Sequence, residues 1–284
     1  MRNLLSVFIL MLPFLYMAQE DEKKISITDV YLMSGSNYMS TNIENVSVFQ
    51  QMAPNSSILA QDMSQFESMP FFPKMGTSPN KSSSLLLGLS FAEKPHQSLR
   101  LGFNHSMGTY ALTNYSRTTF TPYDTLTSSQ TGEQIFIDSM STTSINGTAF
   151  SEYLGLEGSL IFRSSNEARW SFFGGVGLSL RFCFNNRVNV TESTYEGVSG
   201  GYSYSNYNYG NNWKTENFKG YGYLSTSIFF PLGIDLRIGK NRDFWKIAHL
   251  FMELRPNLTI ASIPDYTTVI SPSMVGNFGL RITW

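Results

Sequence analysis

Cysteine, histidine and charge are all scarce in this chain. Of 284 residues one is Cys and three are His, and Asp, Glu, Lys and Arg together make up 14%. The lone Cys183 excludes an intrachain disulfide. One Cys and scattered histidines give no metal-ligand spacing, so no metal is expected. No glycine motif of the phosphate-cradling kind occurs, and no cofactor is expected. A net charge of −1 leaves no electrostatic footprint for nucleic acid. Beyond Ala18 no long apolar run remains, and mean hydropathy is −0.14, which excludes a bundle of membrane helices. Aromatic residues, by contrast, are plentiful: 14% of the chain, with 15 Tyr and 22 Phe. So little charge is unusual for a soluble domain, whereas strands that are only half apolar would give both figures.

The last residues, PSMVGNFGLRITW, show how those aromatics are deployed. Met274, Gly276, Phe278, Leu280, Ile282 and Trp284 alternate with Val275, Asn277, Gly279, Arg281 and Thr283. Strand side chains point alternately to opposite faces, so this is an amphipathic strand. Asn277, Gly279, Ile282 and Trp284 resemble the C-terminal insertion signal of bacterial outer-membrane barrels, with Ile282 where an aromatic is commoner. The same alternation recurs in 85–91, 99–107, 149–163, 169–185, 217–239 and 248–260. An eighth strand is expected at 25–34, with a bulge near Asp29. Connections 93–97, 164–168 and 239–246 are short; 35–82, 111–147, 186–216 and 261–271 are longer. Short turns at one end and long loops at the other are the pattern of an outer-membrane barrel. Phe91, Phe162, Trp170, Trp245 and Trp284 are expected to form one aromatic girdle. Phe150, Phe182, Phe184, Tyr221 and Tyr223 are expected to form the other.

The N-terminus carries Arg2 and the apolar segment LLSVFILMLPFLYM, read as a signal peptide over 1–18 that leaves one domain over 19–284. Cleavage before Gln19 resembles the habit of Bacteroidota exported proteins. The predicted fold is all-β: an eight-stranded antiparallel up-and-down transmembrane barrel with long extracellular loops, in the bacterial outer membrane. In architecture it resembles the small barrels of the OmpA-barrel, OmpX and OmpW type. No peptidoglycan-binding domain is expected after Trp284.

The inward parity positions hold Arg100, Glu157, Arg163, Arg181, Asp235, Arg237, His249, Glu253, Arg255 and Arg281. Eight strands leave an interior that side chains can fill, and buried charges must pair. A salt-bridge network filling the lumen is therefore expected, with Asp29 a further member. The competing reading is a narrow path for ions or small solutes.

Catalytic signals are weak, and no catalytic residue is assigned. His96 lies in a turn and His249 inside the lumen. His105 is on the lipid-facing parity, but its neighbour Ser106 points the opposite way, so the two cannot act together. Cys183 is expected to be a small buried residue.

The loops carry the remaining signals. Segment 35–82 contains Met39, Met52, Met63, Met69, Met75 and PFFP at 70–73, suited either to covering the barrel mouth or to docking on a partner. Segment 111–147 is rich in Ser and Thr; Asp124-Thr125-Leu126 and Asp138-Ser139-Met140 resemble the O-glycosylation signal of Bacteroidota. Segment 186–216 sets Tyr202, Tyr204, Tyr207, Tyr209 and Trp213 among Gly, Ser and Asn, the composition of adaptable binding surfaces. The expected function is non-enzymatic: a barrel presenting extracellular loops for interaction, as an accessory subunit of a larger outer-membrane complex for secretion or barrel assembly. The alternatives are a channel for small or apolar solutes and a lipid-modifying enzyme. Expected partners are outer-membrane lipid, lipopolysaccharide and other outer-membrane proteins, with no nucleic acid.

Overall fold

A computed structural model describes residues 25–38, 46–68, 80–165, 168–199, 212–239, 245, 247–262 and 268–284. The strands are β1 (Ile25–Tyr38), β2 (Glu67–Ser68), β3 (Asn80–Phe91), β4 (Lys94–Thr127), β5 (Gln134–Arg163), β6 (Trp170–Ser199), β7 (Asn212–Lys219), β8 (Tyr223–Phe229), β9 (Leu232–Arg237), β10 (Ala248–Ser262) and β11 (Thr268–Thr283). A short helix, α1 (Val46–Met52), follows β1.

β1 pairs with β3 on one side and with β11 on the other, from Asp29↔Thr283 to Tyr38↔Met274. The sheet therefore closes, which removes the edges an open sheet would leave. β7, β8 and β9 pair in turn along β6, so they are three lengths of one stave and the ring has eight staves. Pro231 sits at the break between β8 and β9, where a residue without N–H cannot serve the ladder. The register shift in β1 falls between Ile27 and Asp29 and turns Asp29 inward.

Burial along the staves is inverted relative to a soluble protein. In β10 His249, Phe251, Glu253 and Arg255 are buried, while Leu250, Met252, Leu254 and Leu258 are exposed. β8 alternates strictly, with Leu224 and Ile228 outward and Ser225 and Ser227 inward. Apolar side chains outside and polar ones inside are stable where the surroundings are hydrocarbon, so this surface is a membrane-spanning belt. No described helix is long and apolar enough to cross a bilayer.

Several expectations change. The segments 111–147 and 186–216 are not simply loops: β4 continues to Thr127, β5 starts at Gln134 and β6 runs on to Ser199. Ser and Asn give little strand signal, but here their backbones are paired across β4, β5 and β6. The turn after β3 is shorter than 93–97, because β4 begins at Lys94. Tyr223 does not join a girdle. It stands opposite the inward Cys183 and is 4% exposed, its hydroxyl bonded to Tyr153 (2.6 Å) and Ser151 (3.0 Å). Phe162, Trp170, Trp245 and Trp284 are exposed at one end of the belt, as are Phe182, Phe184 and Tyr221 at the other. The segment 1–18 lies outside the described residues.

Candidate functional site

The barrel interior is filled in layers. Nearest the chain termini, the Asp235 carboxylate accepts from Arg163 Nη1 (2.6 Å) and Arg281 Nη1 (3.0 Å) and contacts His249 Nδ1 (2.6 Å). Arg281 Nε also donates to Asp29 (2.7 Å). An apolar layer of Tyr31, Met33, Leu86, Ile161, Phe173 and Phe251 lies among these charges. In a second cluster, Arg100 donates to Glu253 (2.7 Å), Glu253 also bonds Arg255, and Arg255 reaches Glu157 (3.1 Å). Rings cover these cations, with Arg255 4.8 Å from the Phe229 centroid and Arg100 5.4 Å from that of Tyr31. Arg237 lies half-buried at the terminal end, its N–H bonded to the Arg169 carbonyl (2.8 Å). Arg181 hydrogen-bonds the hydroxyls of Ser227 (2.7 Å) and Thr259 (3.2 Å) and, among the described residues, no carboxylate.

Above Arg181 the lumen ends under a plug from the first long connection. Phe49, Ala53, Ile58, Leu59 and Phe66 pack on Tyr115, Ile145, Ala149, Cys183, Val188, Val190 and Tyr223 of the barrel wall. Gly147 makes room for Phe49, since a Cβ there would stand 2.7 Å from the ring. Met52 and Met63 pack at the margin. Of the two roles open to segment 35–82, covering the mouth is therefore the one that 46–66 plays. Met39, Met69, Met75 and 70–73 lie outside the described residues. The plug is latched to β7: Glu216 accepts from Ser56 (2.6 Å), Ser57 (2.5 Å) and the Ile58 N–H (3.4 Å). Burial raises the Glu216 pKa, but these bonds and Lys214 outweigh it and hold the carboxyl at about 2. Sequence reading missed this latch; the one local hint is Ser56-Ser57 ahead of the apolar pair Ile58-Leu59.

Outside the wall, His105 faces outward and bonds Glu152 (2.9 Å), which also accepts from Asn185 (3.1 Å). Glu152 was not foreseen, although it shares the outward parity of Leu154 and Leu156. Ser83 stands opposite His105 in register, yet among the described residues no hydroxyl bonds the ring. The His105–Glu152 pair is a hydrogen bond between imidazole and carboxylate at the belt margin. No metal-binding group of His, Cys, Asp or Glu occurs among the described residues.

Beyond the mouth, β4 and β5 project as a long hairpin. Its turn closes through Gly132, at a φ of 70° that favours glycine, with the Gly132 N–H on the Ser128 carbonyl (2.9 Å). Phe120, Tyr123, Leu126 and Phe136 are 60%, 70%, 52% and 70% exposed near the tip. β3 leaves β4 at Met107 and β2 leaves it at Ser116, so among the described residues one edge of β4 is unpaired from Arg117 to Thr127. Trp213 is exposed on β7; Tyr202, Tyr204, Tyr207 and Tyr209 lie outside the described residues. In the terminal strand Asn277 and Gly279 face inward, while Ile282 and Trp284 face outward.

No protein-family model matches the chain, and no curated protein matches it in sequence. Among solved structures, it is similar to the Neisserial surface protein A at 12% identity and a TM-score of 0.36, covering 92% of this chain and 100% of that one. It is also similar to Ail, the attachment invasion locus protein of Yersinia pestis, at 11% identity and a TM-score of 0.24, covering 90% and 100%. At these values the barrel assignment rests on the strand pairing itself.

Proposed function

We propose that the protein is a non-enzymatic barrel of the bacterial outer membrane that holds out its β4–β5 hairpin as a docking surface for another envelope protein. Outer-membrane lipid and lipopolysaccharide surround its belt, and its partner makes it an accessory subunit of a larger outer-membrane assembly. The unpaired β4 edge, with three exposed large side chains on β4 and Phe136 beside them on β5, carries this reading. An open edge recruits a further strand, and exposed apolar area marks a contact surface. The filled lumen supports the non-channel reading.

The test is site-specific photo-crosslinking of the full-length protein in native outer membranes. A crosslinker at Tyr123 is expected to trap one defined protein, which disappears when Phe136→Lys is added. The same crosslinker at Leu156, in the belt, is expected to trap lipid. Identical products from both positions would reject the docking surface. Lipid profiles are expected to be unchanged by His105→Ala.

A further inference from the structure

Every carboxylate described inside the barrel is committed. Asp29 bonds Arg281, Asp235 bonds Arg163 and Arg281, Glu253 bonds Arg100 and Arg255, and Glu157 bonds Arg255. Among the described residues no carboxylate hydrogen-bonds Arg181; Glu157, diagonal to it in the β5–β6 register, acts on it through space but is bonded to Arg255. The neighbours of Arg181 are the Ser227 and Thr259 hydroxyls and the face of Tyr153, 5.3 Å from the ring centroid. A cation that shares its carboxylate with another arginine is costly in a membrane-spanning barrel unless a further counter-charge sits beside it.

Two unsatisfied groups mark where that counter-charge belongs. Arg181 Nε is sealed from solvent and has no hydrogen-bond partner. The same holds for the hydroxyl of Ser225, the residue directly opposite Arg181 in the β6–β8 register. Both groups can donate, so what is missing between them is an acceptor. Buried polar groups without partners call for an ion or a water, and only an anion also answers the charge. Arg181 is partly rather than fully buried although it points inward. Gly155 stands beside Arg181 in the β5–β6 register, and the Arg181 stem packs over it: a Cβ there would stand 2.6 Å from Arg181 Cγ. Tyr153 and Tyr223, beneath the plug, roof the position.

We propose that Arg181 and Ser225 form an internal binding site for a small monovalent inorganic anion of the chloride class, enclosed between the plug and the Glu253–Arg255–Glu157 cluster. This site lies beyond the docking reading and is independent of it. Chloride fits the chemistry because it accepts several hydrogen bonds without donating any.

The test uses the full-length protein folded in lipid vesicles. Urea unfolding is followed as chloride replaces gluconate, an anion too large for the site, at constant ionic strength. Stability should rise with chloride concentration, because an ion that binds only the folded state stabilises it by mass action. Ser225→Ala should fold normally in gluconate and weaken the chloride effect by about tenfold in affinity or more, since it removes one donor to an anion. Arg181→Gln should abolish the effect. Crystals grown in bromide should show an anomalous peak beside Arg181. Equal chloride dependence in wild type and both variants, or bromide absent from the lumen, would overturn the proposal.

Discussion

Glu253 shows what single residues contribute inside this barrel. It is 1% exposed and answers two arginines, Arg100 and Arg255. Glu253→Ala leaves Arg100 with no other carboxylate in contact, so we expect a loss of about 3–5 kcal/mol, typical of a broken buried pair. Urea unfolding in vesicles measures it. Lys214, half-exposed beside Glu216 at 3.4 Å, provides the contrast. Lys214→Ala should cost less than about 1 kcal/mol, because water screens the pair. A loss for Glu253→Ala no larger than that for Lys214→Ala would mean the lumen is hydrated and the pairs weak. That Glu253 and the arginines share one face was legible in the sequence, because strand parity fixes direction. Which acid meets which base was not, because partners lie on strands up to 252 residues apart, as Asp29 and Arg281 do.

Among the elements, the plug has the most to test. Its docking depends on Phe49 and on the Glu216 latch. The carboxyl sits near pH 2 when folded and near 4.5 when released, so its contribution is complete above pH 4.5 and is lost as pH falls toward 2. Protection of 46–66 against hydrogen exchange, corrected for the intrinsic pH dependence of the amides, should therefore fall across that interval, and Glu216→Gln should remove the change. Unchanged protection down to pH 2 would reject the latch. Phe49→Ala should destabilise the plug by about 3–5 kcal/mol, as expected for a buried aromatic. It should also expose Cys183, which is 0% exposed beneath it, to a maleimide that does not label the wild type. The hairpin is a contrasting element. Thr favours strands but the Ser and Asn around it do not, and pairing with neighbours already registered in the membrane extends the sheet through these segments.

For the whole molecule, closure and filling lead to one electrical prediction. With paired charges and a plug above them, the barrel should show no steady conductance in a planar bilayer; an ohmic current from purified wild type would refute the filled lumen. Fold class was determined by the sequence alone. A period of two with apolar residues on one face and charges on the other, ended by alternating short and long connections, admits few solutions besides a membrane barrel. The direction of each alternating side chain followed for the same reason, except where a register shift intervened, as before Asp29. Tertiary structure decided the rest: that 46–66 fills the mouth, that Tyr223 bonds Tyr153 and Ser151, that His105 meets Glu152 and that Arg181 bonds no carboxylate among the described residues. These depend on contacts between segments distant in sequence, and local pattern carries no information about which distant surface a loop or a charge will meet.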